Sequence, residues 1–345
     1  MARSAPAQRP LPLYLERKVL KQLLPALLLI SLPLMAKETL TVYTSSSFAS
    51  SWGPGPAIKK AFEAQCDCEL NLLGLSDGAA VLNRLRMEGK NSTADVILGL
   101  DNNLIANAEK TGLFAKHNLP TTSLQVPNGW KSDYFIPYDY GYFAFVYNKD
   151  KLPQPPTSMK ALLSDENEWK IIYQDPRTST PGLGLLLWIK TLYGDDAEQA
   201  WQRLATKTQT VTKGWSEAYG LFLKGEADLV LSYSTSPAYH IIDEKDNRYA
   251  AALFEEGHYL QIEVAGQLAA SRHPQLASQF MAFITTPEFQ QHIATKNWMY
   301  PVTDVALPEA FSELAKPENV LEIDAQQIEA HRTGWIREWQ NAVAR

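Results

Sequence analysis

From residue 37 onward, short runs rich in β-branched and aromatic residues alternate with stretches whose apolar positions recur every three to four residues. A period near two alternating with one near 3.6 predicts α/β layers rather than a sandwich or a helical bundle. Strands are predicted at 40–44, 69–75, 95–100, 143–148, 170–175, 227–233 and 259–267. Helical spacing appears in AIKKAFEAQ, AAVLNRLRMEG, LGLLLWIKTLYG, AEQAWQRLATK and EAYGLFLKGE. HPQLASQFMAFITTPEFQQHI gives two further helical patterns broken at Pro287, and DAQQIEAHRTGWIREWQNAVAR a terminal helix.

Five of the predicted strands run directly into polar turns: YTSSSF, LSDGAA, LDNN, YQDPRTSTPG and SYSTSPAYH. Such turns cap helices. In an open parallel sheet they also gather at the carboxyl edge of the strands, where ligands bind. Five in succession favour a binding edge over capping alone. The aromatic segment 133–156 reads as a strand crossing between two lobes, and 259–271 as the return.

The first 36 residues form a separate unit of pattern. Arg17, Lys18 and Lys21 precede the apolar run Leu23 to Met35, and Ala36 is small enough for cleavage. The run falls short of the about 20 residues that span a bilayer, and Pro25 and Pro33 interrupt it, so it reads as an export signal. The long Pro-rich stretch before it suggests that translation starts at Val19, which would leave a signal of ordinary proportions. Cleavage leaves 309 residues and removes five basic residues and one acidic residue, taking the formal charge from −6 to −10. No basic run of the kind that neutralises a phosphate backbone is present, which argues against nucleic acid as a partner. The only two cysteines, Cys66 and Cys68, would form a small disulfide or stand as two thiols on one face of a strand.

The stretches YTSSSFASSWGPGP, LNRLRMEGKNSTADVILGLDNN, PYDYGYFAFVYNK, IYQDPRTSTPGLGLLLW, VTKGWSEAYGLFLKGEADLVLSYSTSPAYH and NWMYPV together resemble the periplasmic thiamine-binding proteins of bacterial ABC importers. That resemblance implies a two-lobed type II periplasmic binding fold, lobes closing about a hinge on a ligand in the cleft. Lobe one is expected from 37–140 plus 262–300 and lobe two from 141–261 plus 301–345. The expected ligands are thiamine, thiamine monophosphate and thiamine diphosphate. The expected partner is an inner-membrane permease with its cytoplasmic ATPase, and the loaded protein is expected to be monomeric in the periplasm. Neither a cofactor nor an enzymatic activity is expected.

Carried over residue by residue, the family's ligand contacts fall on Asp77, Gly78, Ser179, Thr180, Trp215, Tyr233, Ser234, Thr235 and Ser236, with Tyr239 and Trp298 added. The chain departs from the family pattern at Ser45 and Ser46, where an aromatic and an acid are common, and this bears on ligand orientation and affinity. Thiamine joins a permanent thiazolium cation to an aminopyrimidine. Trp215, Tyr233, Tyr239 and Trp298 are the candidate aromatic walls, with Trp52 ranking below them; such residues otherwise serve as core. Asp77 is the candidate acceptor for the amine, or a helix cap, and Gly78 would admit the ligand close to the backbone. Ser179 and Thr180, before Pro181, suit an anion site at a helix start or plain capping, with Ser234, Thr235 and Ser236 as a second donor set.

Two other readings compete with this one. Gly214, Trp215 and Ser216 begin a G-x-S pattern, but Ala218 stands where a nucleophile elbow needs glycine. Tyr239 beside His240 would suit ferric iron in a binding protein of the same fold. The other histidines, His117, His258, His273, His292 and His331, show no metal-ligand spacing.

Overall fold

The computed structural model describes residues 37–344; the expected export signal and the Val19 start lie outside them. The strands are β1 (Glu38–Ser45), β2 (Cys68–Leu75), β3 (Val96–Asp101), β4 (Phe135–Asn148), β5 (Ile171–Gln174), β6 (Thr208–Thr212), β7 (Leu229–Tyr233), β8 (Tyr249–Ala252), β9 (His258–Gln267), β10 (Tyr300–Pro301) and β11 (Val320–Leu321). The main path of the sheet runs β2-β1-β3-β9-β4-β7-β5-β6.

Parallel pairing groups β1 with β2 and β3 on one side, and β5 with β6 and β7 on the other. Helices cover both faces of such strands, so their residues are apolar on both sides. Leu40 and Val42 pack with Phe62 and Phe280, whereas Tyr43, the next residue along the strand, packs with Leu82 and Leu85 on the opposite face. The second group is buried in the same way by the helices Thr180–Tyr193, Ala197–Lys207 and Trp215–Leu223, which bring Trp188, Trp201 and Phe222 inward.

Two long antiparallel strands join the groups. Residues 135–142 of β4 pair with β9, and residues 143–147 pair with β7. The same end of β4 also takes β8 on its other side. β9 in turn pairs with β3 through Val264 and Gly266. The expected lobe boundaries at 140/141 and 261/262 fall inside these two strands. The terminal helix Ala325–Val343, assigned to the second lobe from sequence, is tied to both groups. Lys110 pairs with its Glu329 at 2.6 Å and Lys190 with its Glu338 at 3.0 Å, while Trp339 Nε1 donates to Tyr173 Oη at 3.2 Å.

Cys66 and Cys68 are joined in a disulfide at the start of β2, which decides between the two states left open by sequence. No described helix is long and apolar enough to cross a membrane.

The crossing strand is packed closely where it turns from one group to the other. A Cβ at Gly184 would lie 1.9 Å from Phe143 Cε2, and the Phe143 ring rests 5.3 Å from that of Tyr233. Gly184→Ala should therefore destabilise the protein by about 1–3 kcal/mol through overpacking, read as a lower urea midpoint at unchanged slope.

Candidate functional site

The carboxyl ends of the parallel strands meet the crossing strands around a cavity of about 540 Å³. β1 delivers Ser45 to it, β7 delivers Tyr233, β4 delivers Tyr138 and β9 delivers Glu263. This is the edge at which open α/β sheets bind ligands, and the volume is that of a small-molecule site.

Aromatic rings from several elements wall the cavity. Trp215 opens its helix, donates Nε1–H to Ser232 Oγ at 2.7 Å and stacks on Tyr219 with ring centroids 5.0 Å apart. Trp52 lies against its other side at 6.2 Å and is half exposed. Tyr239 meets Trp298 edge-on at 5.5 Å. Trp298 takes φ 58°, a left-handed conformation rare for a bulky residue, where the π-helical turn Ile293–Asn297 ends. Both features cluster at functional sites.

The charge lining the cavity is acidic. Asp77, Asp243, Glu244 and Glu263 stand against Lys296, which lies 3.6 Å from Asp243. Beside them Asp101 and Asp139 are fully buried. Burial pushes the Asp101 carboxyl up to about 6 and raises that of Asp139, and it raises Glu263 well above the carboxylate range, with Asp139 adding to the effect. A concave, acidic, aromatic-walled site favours a flat cation.

Of the residues singled out from sequence, Asp77, Trp215, Tyr233, Ser236, Tyr239 and Trp298 line this cavity, and so does Trp52. The others do not. Ser179 and Thr180 are buried, and their hydroxyls donate to Asp77 at 2.7 and 3.1 Å. Asp77 also accepts from Gly78 N–H at 2.9 Å, capping the helix Gly78–Glu88, and from the backbone of Trp215. Burial raises the Asp77 carboxyl, and these four donors oppose that rise. Gly78 is needed for packing: a Cβ there would sit 2.0 Å from Gly99 O and 2.8 Å from Thr180 Cγ2. Ser234 and Thr235 are buried behind Tyr233, with Thr235 Oγ1 at 3.8 Å from Met299 Sδ. Ser236 is partly engaged in holding the wall, since its Oγ bonds Ser232 Oγ at 2.7 Å and accepts from Tyr233 N–H.

Sequence reasoning missed Glu263, Tyr138, Asn297 and Tyr219. A signal for the first was present: one acid stands among apolar neighbours in YLQIEVAG, where a strand buried on both faces tolerates no unpaired charge.

The iron reading loses its imidazole. His240 is buried, with Nδ1 2.6 Å from Glu244 and Nε2 2.9 Å from Tyr219 Oη, so neither ring nitrogen is open to a metal. Among the described residues no group of three or more His, Cys, Asp or Glu is arranged to hold a metal ion.

The fold and the site define a solute receptor: residues 91–330 match the bacterial extracellular solute-binding proteins, and the chain belongs to that family. Within that class its similarity is more particular. It is 64% identical to the thiamine-binding periplasmic protein of Salmonella typhimurium over 95% of this chain and all of that one, and 45% identical to the protein of that name from Haemophilus influenzae over 90% and 94%. A solved periplasmic thiamin binding protein superposes with a TM-score of 0.88 at 63% identity, covering 90% of this chain and 97% of the other. The ferric binding protein of Campylobacter jejuni, at 19% identity, TM-score 0.72 and coverage of 88% and 99%, shares the fold alone.

Asp101 makes the electrostatic state of the site measurable. Its folded value, about 6, exceeds its ordinary 3.8, so the folded form binds more protons across that interval and its contribution to stability is lost as pH rises through it. Asp101→Asn should flatten that part of the decline in unfolding free energy with pH, as followed by urea denaturation.

Proposed function

We propose that this protein captures thiamine in the periplasm and delivers it to a membrane permease of the ABC type. The observation that supports this best is the acidic cavity walled by Trp215, Tyr239 and Trp298 at the strand ends. Thiamine offers a cationic thiazolium to the aromatic faces and the carboxylates, and an aminopyrimidine amine to a carboxylate acceptor. High identity to thiamine-binding proteins over nearly the whole chain gives the same ligand from an independent direction.

The mechanism is capture, closure and handover. Asp77 belongs to the first strand group, whereas Ser179, Thr180 and Trp215 belong to the second, so their bonds to Asp77 bridge the cleft. Backbone contact continues alongside, with Ala80 N–H donating to Thr178 O at 3.0 Å. A ligand that touches rings from both sides adds to this bridge and shifts the population toward the closed form by its differential affinity. Docking on the permease and reopening release it chemically unchanged, with no covalent step.

The monophosphate and diphosphate present the same two rings and belong to the same ligand class in this reading. Their phosphates meet a wall whose one Lys or Arg is Lys296, with the hydroxyls of Ser45, Ser47 and Ser236 nearby in the lining.

Two measurements test the reading. Thiamine should quench tryptophan fluorescence at micromolar concentration and be recovered intact from the complex. Absence of quenching by thiamine and by both phosphates, or fragmentation of the ligand, would reject it. Trp215→Ala should weaken thiamine about 2- to 30-fold, the range of one cation–π contact of roughly 0.5–2 kcal/mol. Lys296→Ala should weaken thiamine diphosphate more than thiamine, and calorimetric titration of both ligands on both proteins measures the difference.

A further inference from the structure

Asp139 on β4 and Glu263 on β9 face each other in register across the two crossing strands. Glu263 lines the cavity, and Asp139 lies behind it with no surface exposed. Asn297 is the amide between them, with Nδ2 2.6 Å from Asp139 Oδ2 and 3.4 Å from Glu263 Oε2. The second oxygen, Asp139 Oδ1, is buried with no donor. A fully desolvated carboxylate oxygen in that position is costly unless a proton reaches it. The opposing Glu263 carboxyl is the group placed to supply one.

The charges around the pair give no other compensation. Asp77 at the start of the helix Gly78–Glu88 and Asp101 at the end of β3 both repel a second negative charge on Glu263. The phenols of Tyr138 on β4 and Tyr233 on β7 face the pair and remain neutral, because burial and these acids raise them well above their ordinary value; Tyr138 also hydrogen-bonds Glu263, which supplies a donor but no positive charge. Lys296, the cation of the cavity wall, lies against Asp243. A second polar atom without a partner lies toward the same floor: Thr44 Oγ1 is buried, 3.9 Å from the point beside Gly99 that Tyr138 Oη approaches to 3.6 Å. Two adjacent carboxyls in such surroundings hold one proton between them.

We propose that Asp139 and Glu263 share one proton in the ligand-free protein and exchange it for the positive charge of the ligand, making the pair the subsite that selects a cation. The thiazolium of thiamine takes over the compensation that the proton had provided, and the proton leaves to solvent, so charge balances at one proton released per cation bound. This rests on the thiamine reading and adds to it a recognition element and a proton stoichiometry. Glu263 is the contact residue; Asp139 and Asn297 act through it as positioning residues.

Calorimetric titration of thiamine near pH 7, repeated in buffers of different ionisation heat, should show close to one proton released per thiamine bound. Affinity should rise with pH below the pair's upper titration by up to about tenfold per unit. A neutral analogue with thiophene in place of thiazolium should bind more weakly and release none. Glu263→Gln should abolish the release and flatten the pH dependence, and Asp139→Asn serves where Glu263→Gln fails to fold. Infrared difference spectra of ligand-free wild type against either variant should show one protonated carboxyl at pH 7. Its absence, or undiminished proton release by Glu263→Gln, overturns the proposal. Thiamine binding with no proton released and a flat pH dependence overturns the exchange while leaving the thiamine reading in place; failure to bind thiamine at all removes both.

Discussion

Antiparallel pairing of β4 with β9 carries the chain between the two strand groups, and it also decides which residues stand at the floor of the cavity. Side chains alternate across a strand, so register determines which of them share a face. Matching Asp139 to Glu263 places two carboxyls side by side at the point where the ladder passes under the cleft. A shift of one residue would turn Tyr138 and Tyr140 to that position and move the acids into opposite layers. The phenylalanines at 143 and 145, the glycine that admits Phe143 and the tyrosine stacked on it keep the ladder in this register from the second group.

Burying this much negative charge opposes folding, and the structure manages it by different means at each position. Asp77 has four hydrogen-bond donors from three segments and becomes a tie between the strand groups. Asp101 accepts from Gln261 and Asn103 and is tied to β9 through them. Asp139 and Glu263 share the Asn297 amide, and Tyr138 adds one donor to Glu263, while Asp139 Oδ1 has none. The unevenness is informative: the acids best supplied with donors have structural work, whereas the pair with the fewest donors opens onto the cavity, where a cation supplies what the protein does not.

Most of the architecture was legible in the chain because strands buried on both faces and amphipathic helices leave different periods. The helix 197–207 was read to the residue, since Ala200, Trp201 and Leu204 face inward while Glu198, Gln202 and Arg203 do not. β6 was missed because TQTVT is half exposed and has no apolar run, whereas the whole of β4 falls inside the aromatic strand expected over 133–156 even though Pro137, Asp139 and Gly141 interrupt its apolar signal. The site was legible only in part, for a related reason. Aromatic residues at strand ends announce themselves, but a hydroxyl beside a helix start looks the same whether it faces a ligand or another side chain. Ser179 and Thr180 point to Asp77, a partner about a hundred residues away, and nothing local in DPRTSTPG encodes that. Gly78 likewise answers to Gly99 across the layer rather than to the cleft.

The serines at 45 and 46 gain meaning from the same geometry. Ser45 lines the cavity, and its hydroxyl caps the short helix Ser46–Ala49 and bonds Ser47 at 2.9 Å, so it contributes neither a ring nor a charge to the wall. The aromatic surface on that side of the cleft comes from Trp52, held 6.2 Å from Trp215 by the turn that follows. Gly53 makes that turn possible, since a Cβ there would lie 2.1 Å from Ser47 O. A ring supplied from an exposed turn moves more freely than one supplied from a strand end. In the proposed reading, discrimination among flat cations therefore falls on the second group's rings and on the carboxyl pair, which stands on the two crossing strands.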